Sequence, residues 1–118
     1  DKLAKYDTDI YQDVFAPEIL KYIEEEYKMA TLEELAGEMN VALSTASKIV
    51  KKSTGMTFKE LLQRKRLMQA ANLLEHTKLP ITEIIERVGY DNTSYFHRIF
   101  RETYQMSPKE YRDWKIRT

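Results

Sequence analysis

Two stretches of this 118-residue chain carry hydrogen-bond donors at a spacing that places them on one side of a helix. The first presents Ser44, Ser47, Lys48, Lys51 and Lys52 at i, i+3, i+4, i+7 and i+8, and the second presents Thr93, Ser94, His97, Arg98 and Arg101. Arginine offers a planar fork of donors that fits a pair of acceptors, lysine a mobile point charge, and the hydroxyls both donate and accept. Such a set suits an acceptor-rich or anionic surface. Bond-making chemistry has little support, because no Ser-His-Asp arrangement, glycine-rich phosphate loop or carboxylate pair stands out. His76 and His97 are far apart, neither has a ligand partner at i+4, and the chain has no cysteine, so neither a zinc site, a disulfide nor any other cofactor is expected.

The formal charge of zero is unevenly spread. Residues 1–43 hold 4 basic and 11 acidic side chains, a net of −7, whereas residues 44–69 hold 7 basic side chains against Glu60 alone, a net of +6. Residues 70–118 hold 8 basic and 7 acidic side chains. Such polarisation is the distribution that matters for a polyanionic partner, although a merely solvated charged face fits the charge count equally well. No apolar run approaches a membrane span and no signal-peptide pattern opens the chain, so it is expected to be cytoplasmic with no membrane partner.

The elements that must position these donors follow from apolar spacing. Residues 1–15 show no clean period and no initiating Met, and read as a linker or the tail of a longer protein. From Pro17, at a first-turn position, Ile19, Leu20, Ile23 and Tyr27 share a helical face. Thr31 caps a short helix with Glu34 at the capping-box position and Leu32, Leu35, Ala36 and Met39 inward, ending at Asn40. A second helix starts near Ser44 and buries Ala46, Ile49 and Val50. Thr57 then opens an uninterrupted helix to His76, with Phe58, Leu61, Leu62, the Lys65 stem, Met68, Ala71 and Leu74 recurring at steps of three and four. At ~1.5 Å per residue it is roughly 30 Å long, close to the ~34 Å turn of a duplex.

The unit before this helix recurs after it. Leu32-Glu33-Glu34-Leu35-Ala36 aligns with Ile81-Thr82-Glu83-Ile84-Ile85 at a shift of 49, and Lys48-Ile49-Val50-Lys51-Lys52 aligns with Arg98-Ile99-Phe100-Arg101-Glu102 at a shift of 50. The one-residue difference falls in the turn, where Asn40 matches Gly89, two residue types with access to positive φ. In the second copy Asn92 is the cap, Phe96, Ile99, Phe100 and Thr103 face inward, and Ser107 and Pro108 open a last helix buried through Tyr111 and Trp114. Matching apolar, cap and turn positions define a tandem repeat of helix-turn-helix units.

The stretch Glu83 to Arg101, with Val88-Gly89-Tyr90 and Ser94-Tyr95-Phe96 at its centre, continued by Met106-Ser107-Pro108-Lys109-Glu110-Tyr111-Arg112, resembles the signature of the AraC/XylS family of bacterial transcription regulators. Arg66-Leu67, Ala70 and Leu73-Leu74 of the long helix are similar to that family too. The resemblance spans residues 17–115 or so and departs at Tyr90, where Phe is usual, at Asn40, where Gly is usual, and in the plain first recognition helix, Ser44 to Ser47. It implies an all-α domain of about seven helices, with two recognition helices entering successive major-groove segments and the long helix setting their separation. The expected organisation is a tail over residues 1–15, a first helix-turn-helix subdomain over 16–56, a connecting helix over 57–77 and a second subdomain over 78–118.

On this reading the partner is double-stranded promoter or operator DNA. Ser44, Ser47, Lys48, Thr93, Ser94, His97 and Arg98 are the candidate base contacts, and Lys51, Lys52, Arg101 and Lys65 the candidate phosphate contacts. Arg64, Lys65 and Arg66 could equally pair with glutamates. RNA polymerase is a further implied partner, and dimerisation or effector sensing belongs to a region elsewhere in such a protein. The competing class is a helical protein-interaction module using the acidic face of residues 18–38.

Overall fold

The computed structural model describes the backbone of residues 2–117 and the side chains of residues 14–117. Among the described residues there are seven helices and no strands: α1 (Lys2–Glu26), α2 (Leu32–Met39), α3 (Leu43–Thr54), α4 (Phe58–His76), α5 (Ile81–Arg87), α6 (Thr93–Tyr104) and α7 (Pro108–Arg117). They form two compact units, one ending at Arg64 and the other beginning at Lys65, so the change of unit falls inside α4.

In the first unit, α1 begins at Lys2 and carries Pro17 in its interior rather than at its start. An interior proline removes one N–H from the helical ladder and crowds the carbonyl four residues back. The helix that was expected to open at Pro17 therefore runs through most of the stretch that reads as a tail. Its buried face also differs from expectation, with Tyr22 at 4% exposure beside Ile19 and Ile23, and Leu20 at 51% exposure. Tyr22 earns its place through its hydroxyl, which accepts the Thr31 amide at 3.0 Å and donates to Glu34 Oε1 at 2.9 Å. Thr31 Oγ1 meanwhile accepts the Glu34 amide at 3.1 Å. The capping box is thus closed through a residue from another helix. Burial, with the Glu34 carboxylate adding to it and the Thr31 backbone opposing it, pushes the Tyr22 hydroxyl up to about 12.

The turn of each helix-turn-helix is built the same way. Asn40 (φ 59°) and Gly89 (φ 107°) take the left-handed conformation. The next amide reaches back five residues in both copies: Val41 N–H donates to the Ala36 carbonyl at 3.0 Å and Tyr90 N–H to the Ile85 carbonyl at 3.1 Å. These are Schellman-type closures, and they need a residue tolerant of positive φ at that one position. The repeat continues in the cores, where Leu35, Ala36, Ala46, Ile49 and Val50 are buried in the first unit and Ile84, Ile85, Phe96, Ile99 and Phe100 in the second.

Thr57 and Ser107 cap α4 and α7 as expected, accepting the Glu60 and Glu110 amides at 3.1 Å each. Asn92 Oδ1 caps α6 by accepting the Tyr95 amide at 2.9 Å. The corresponding residue of α3 is Ala42, whose side chain makes no such bond, so that helix starts at Leu43 without a polar cap and Ser44 lies inside it. Ala42→Ser is expected to raise stability by ~1 kcal/mol, the usual worth of an N-cap hydroxyl, moving the thermal midpoint by roughly 4–8 °C. An unchanged midpoint would mean that the α3 amides gain nothing from the hydroxyl.

Three further side chains lie opposite to their expected positions. Met68 is 53% exposed, although it stands seven residues after the buried Leu61. The first turns of α4 are buried in the first unit through Leu61 and the later turns in the second through Leu67, Ala70, Ala71 and Leu74, so a single continuous apolar stripe does not exist. Thr103 is exposed, and its neighbour Tyr104 is half-buried instead, its hydroxyl donating to the Leu67 carbonyl at 3.4 Å. Trp114 is 47% exposed and meets the buried Tyr111 edge-on at 5.9 Å between ring centroids.

Candidate nucleic-acid interface

Helix α3 buries Ala46, Ile49 and Val50, so its periodicity turns Ser44, Ser47, Lys48, Lys51 and Lys52 to the solvent side, where all five are exposed. Lys51 Nζ donates to the Gly55 carbonyl at 3.2 Å, placing its ammonium at the negative end of the helix. The face holds two hydroxyls and three ammonium groups within about two turns. Among these side chains none is long and planar.

Helix α6 repeats the design with stronger donors. Phe96, Ile99 and Phe100 are buried, and Thr93, Ser94, Arg98 and Arg101 are exposed. His97 is half-buried, with its Nδ1 2.8 Å from the Thr93 carbonyl oxygen. Because a carbonyl only accepts, that contact requires the proton on Nδ1 and leaves Nε2 of the neutral ring as an acceptor. Arg98 is held on two sides, by Glu102 Oε1 at 3.1 Å and by the Tyr95 ring, whose centroid lies 5.2 Å from the guanidinium carbon. Arg101 pairs with Glu110 Oε1 at 3.2 Å. The hydroxyl and amide of Ser107, followed by Arg101, hold the Glu110 carboxyl below its usual range. Both ion pairs join side chains about 60% exposed, at 62% and 61% for Arg98–Glu102 and 62% and 60% for Arg101–Glu110. Such pairs are worth only ~0–1 kcal/mol and yield readily to a competing anion.

Several residues behind these faces are not singled out by their spacing. Arg66 stands over the Tyr90 ring at 5.1 Å. Burial pushes the Tyr90 hydroxyl up, and Arg66 opposes that shift. Arg112 Nε donates to the Leu74 carbonyl at 3.0 Å and its Nη2 to the Thr77 carbonyl at 3.2 Å, closing the end of α4. Both contacts bridge residues far apart in sequence. The Arg98–Glu102 pair and the Tyr95–Arg98 contact were legible in principle, since i,i+4 and i,i+3 side chains are neighbours on a helix.

Lys65 is half-buried and Arg64 exposed, its Nη1 3.9 Å from the Met56 sulfur. The sequence-derived candidates thus divide between two helix faces, one per unit, except for Lys65, which belongs to α4. Among the described residues, no group of three or more His, Asp or Glu side chains is arranged to hold a metal ion. None of the described helices is long and apolar enough to cross a membrane.

A duplicated helix-turn-helix whose second helices expose donors and cations defines a class of protein, the double helix-turn-helix binding domain. The family described as "Helix-turn-helix domain" matches residues 35–113. The regulatory protein PocR of Salmonella typhimurium is 37% identical over 81 residues, covering 69% of this chain and 27% of its own length. The C-terminal domain of AraT, a response regulator from Geobacillus stearothermophilus, matches with a TM-score of 0.76 and 38% identity, covering 83% of each chain. The C-terminal domain of the two-component response regulator yesN from Fusobacterium nucleatum matches with a TM-score of 0.76 and 36% identity, covering 81% of this chain and 95% of that one. The chain belongs to the AraC/XylS family of helix-turn-helix transcription regulators and is a DNA-binding domain of that family. It spans 27% and 34% of the first two curated relatives it matches.

Proposed function

We propose that this chain reads duplex DNA with α3 and α6, the two helices entering successive major-groove segments on one face of the duplex. The observation that carries the reading is the repetition of one helix-turn-helix with an exposed donor face in each copy. Ser44, Ser47, Lys48, Thr93, Ser94, His97 and Arg98 would meet base edges, and Lys51, Lys52, Arg101 and Lys65 phosphates. The two helices contribute unequally: α3, with short hydroxyls and hydrated ammonium groups, is mainly electrostatic, and α6 carries the planar fork of Arg98. Such a domain serves promoter or operator DNA in the bacterial cytoplasm, with RNA polymerase as a further partner and effector sensing or dimerisation assigned to another part of the protein.

Two measurements test this. Sequences selected from a random duplex pool should show two conserved blocks ~10 bp apart centre to centre, the spacing of successive major-groove segments on one face of a duplex. Recovery of a single block would remove one helix from the reading. Affinity should fall steeply with salt, and Lys52→Ala should weaken selected and random duplexes alike while shallowing the salt slope by about one ion. A flat salt dependence would instead favour the protein-interaction class.

A further inference from the structure

The contacts behind Arg98 form a continuous series across the second unit. Arg66, from α4, lies 5.1 Å over the ring of Tyr90, in the turn between α5 and α6. The Tyr90 ring meets Tyr95, in the first turn of α6, with centroids 5.9 Å apart and planes at 53°. Tyr95 in turn carries the Arg98 guanidinium at 5.2 Å, and Glu102 closes the far side at 3.1 Å. The two rings stand between two cations, each guanidinium at a separation where it is attracted by the face of its ring. The Tyr95 backbone is tied down as well, its amide donating to Asn92 Oδ1 at 2.9 Å.

An exposed arginine ordinarily samples many rotamers, and a bidentate contact to one base requires that freedom to be given up on binding. A ring beneath the guanidinium and a carboxylate beside it restrict that sampling before DNA arrives. Phosphate contacts gain little from such restriction, since phosphates line the groove and any nearby cation serves. Base reading gains directly, because only one orientation of the fork matches the paired acceptors of a base edge.

We propose that Tyr95 and Glu102 are positioning residues that hold the Arg98 fork ready for a base edge, with Tyr90 and Arg66 bracing Tyr95 from behind. This assignment rests on Arg98 reading a base. It makes Tyr95 a determinant of sequence discrimination without contact to DNA. Glu102 repels phosphate, so its presence lowers affinity for any duplex while sharpening choice among duplexes.

The test is a set of binding titrations with the whole chain, on a duplex selected from a random pool and on the same duplex altered at the base pair read by Arg98. Tyr95→Leu should lower the ratio of the two affinities by ~2- to 5-fold, the worth of an exposed cation–π contact, while leaving random-duplex affinity unchanged. Tyr95→Phe, which keeps the ring, should retain the ratio. Glu102→Ala should lower the ratio by ~2-fold and leave random-duplex affinity equal or higher. In an Arg98→Ala background neither change should have a further effect on the ratio. If Arg98→Ala itself leaves the ratio intact, the base-reading role of Arg98 fails and this proposal falls with it. If Arg98→Ala collapses the ratio but Tyr95→Leu and Glu102→Ala do not lower it, base reading stands and the positioning role is overturned. Should Tyr95→Leu fail to fold, as judged by loss of the helical circular dichroism signal, Glu102→Ala alone decides.

Discussion

Phe100→Ala is expected to unfold the second helix-turn-helix unit or bring it close to unfolding at ambient temperature. Phe100 is fully buried and its ring is surrounded by Phe96 at 5.7 Å, Tyr104 at 4.6 Å and Tyr111 at 5.7 Å between centroids. Truncating a buried Phe costs ~3–5 kcal/mol through lost transfer energy and the cavity left behind, and aromatic pairs add ~0.5–1.5 kcal/mol each. A small domain has only ~5–15 kcal/mol in hand. The thermal midpoint should therefore drop by at least ~12 °C. The readout can be made local, because the chain has a single tryptophan, Trp114, and it sits edge-on to Tyr111 in the same unit. Its fluorescence transition should move with the mutation. A shift of only a few degrees would show that the aromatic cluster does not hold this unit together.

Arg98→Ala is expected to erase preference at one base position of the selected site. A bidentate arginine contact is worth ~1–3 kcal/mol of discrimination, which is about 5- to 150-fold in relative affinity. Arg98→Lys should also lose most of it, since a point charge keeps the electrostatics and gives up the fork. Random-duplex affinity should change much less, by the contribution of one charge. The measurement is competitive binding to the selected duplex and its single-base variants at fixed salt, after circular dichroism shows each mutant folded. Equal losses on selected and random duplexes would make Arg98 a phosphate contact.

The side chains that hold Arg98 bear on how that result should look. Tyr95 and Glu102 engage its guanidinium while the helix is free, so on the proposed reading a base edge meets a fork already restricted by individually weak, exposed contacts. Arg101 is in a similar position with Glu110. For Arg101, exchange of a carboxylate for a phosphate oxygen changes little in kind, which fits an expected role in positioning the domain.

Much of this molecule is determined locally by its sequence. The caps at Thr31, Thr57, Asn92 and Ser107 are hydroxyl or amide side chains three residues ahead of the amides they accept, and such bonds form within one turn. The turns at Asn40 and Gly89 need only a residue tolerant of positive φ, which the residue type announces. The outward faces of α3 and α6 follow from helical periodicity against a short buried stripe. Those features do not depend on what lies across the core.

Tertiary structure decided the rest, wherever a side chain's place depends on a partner distant in sequence. Tyr22 is buried in preference to Leu20 because its hydroxyl completes the cap formed by Thr31 and Glu34, nine and twelve residues further on. Met68 is left exposed because α4 is buried by a different core on either side of Arg64, which no single periodic pattern describes. Arg112 is recruited to carbonyls 35 and 38 residues away, and Arg66 to the Tyr90 ring. Pro17, a helix-start residue by its chemistry, lies within α1, where local preference is overridden. Period and caps place a residue on a face of its own helix, and only the assembled core says what that face meets.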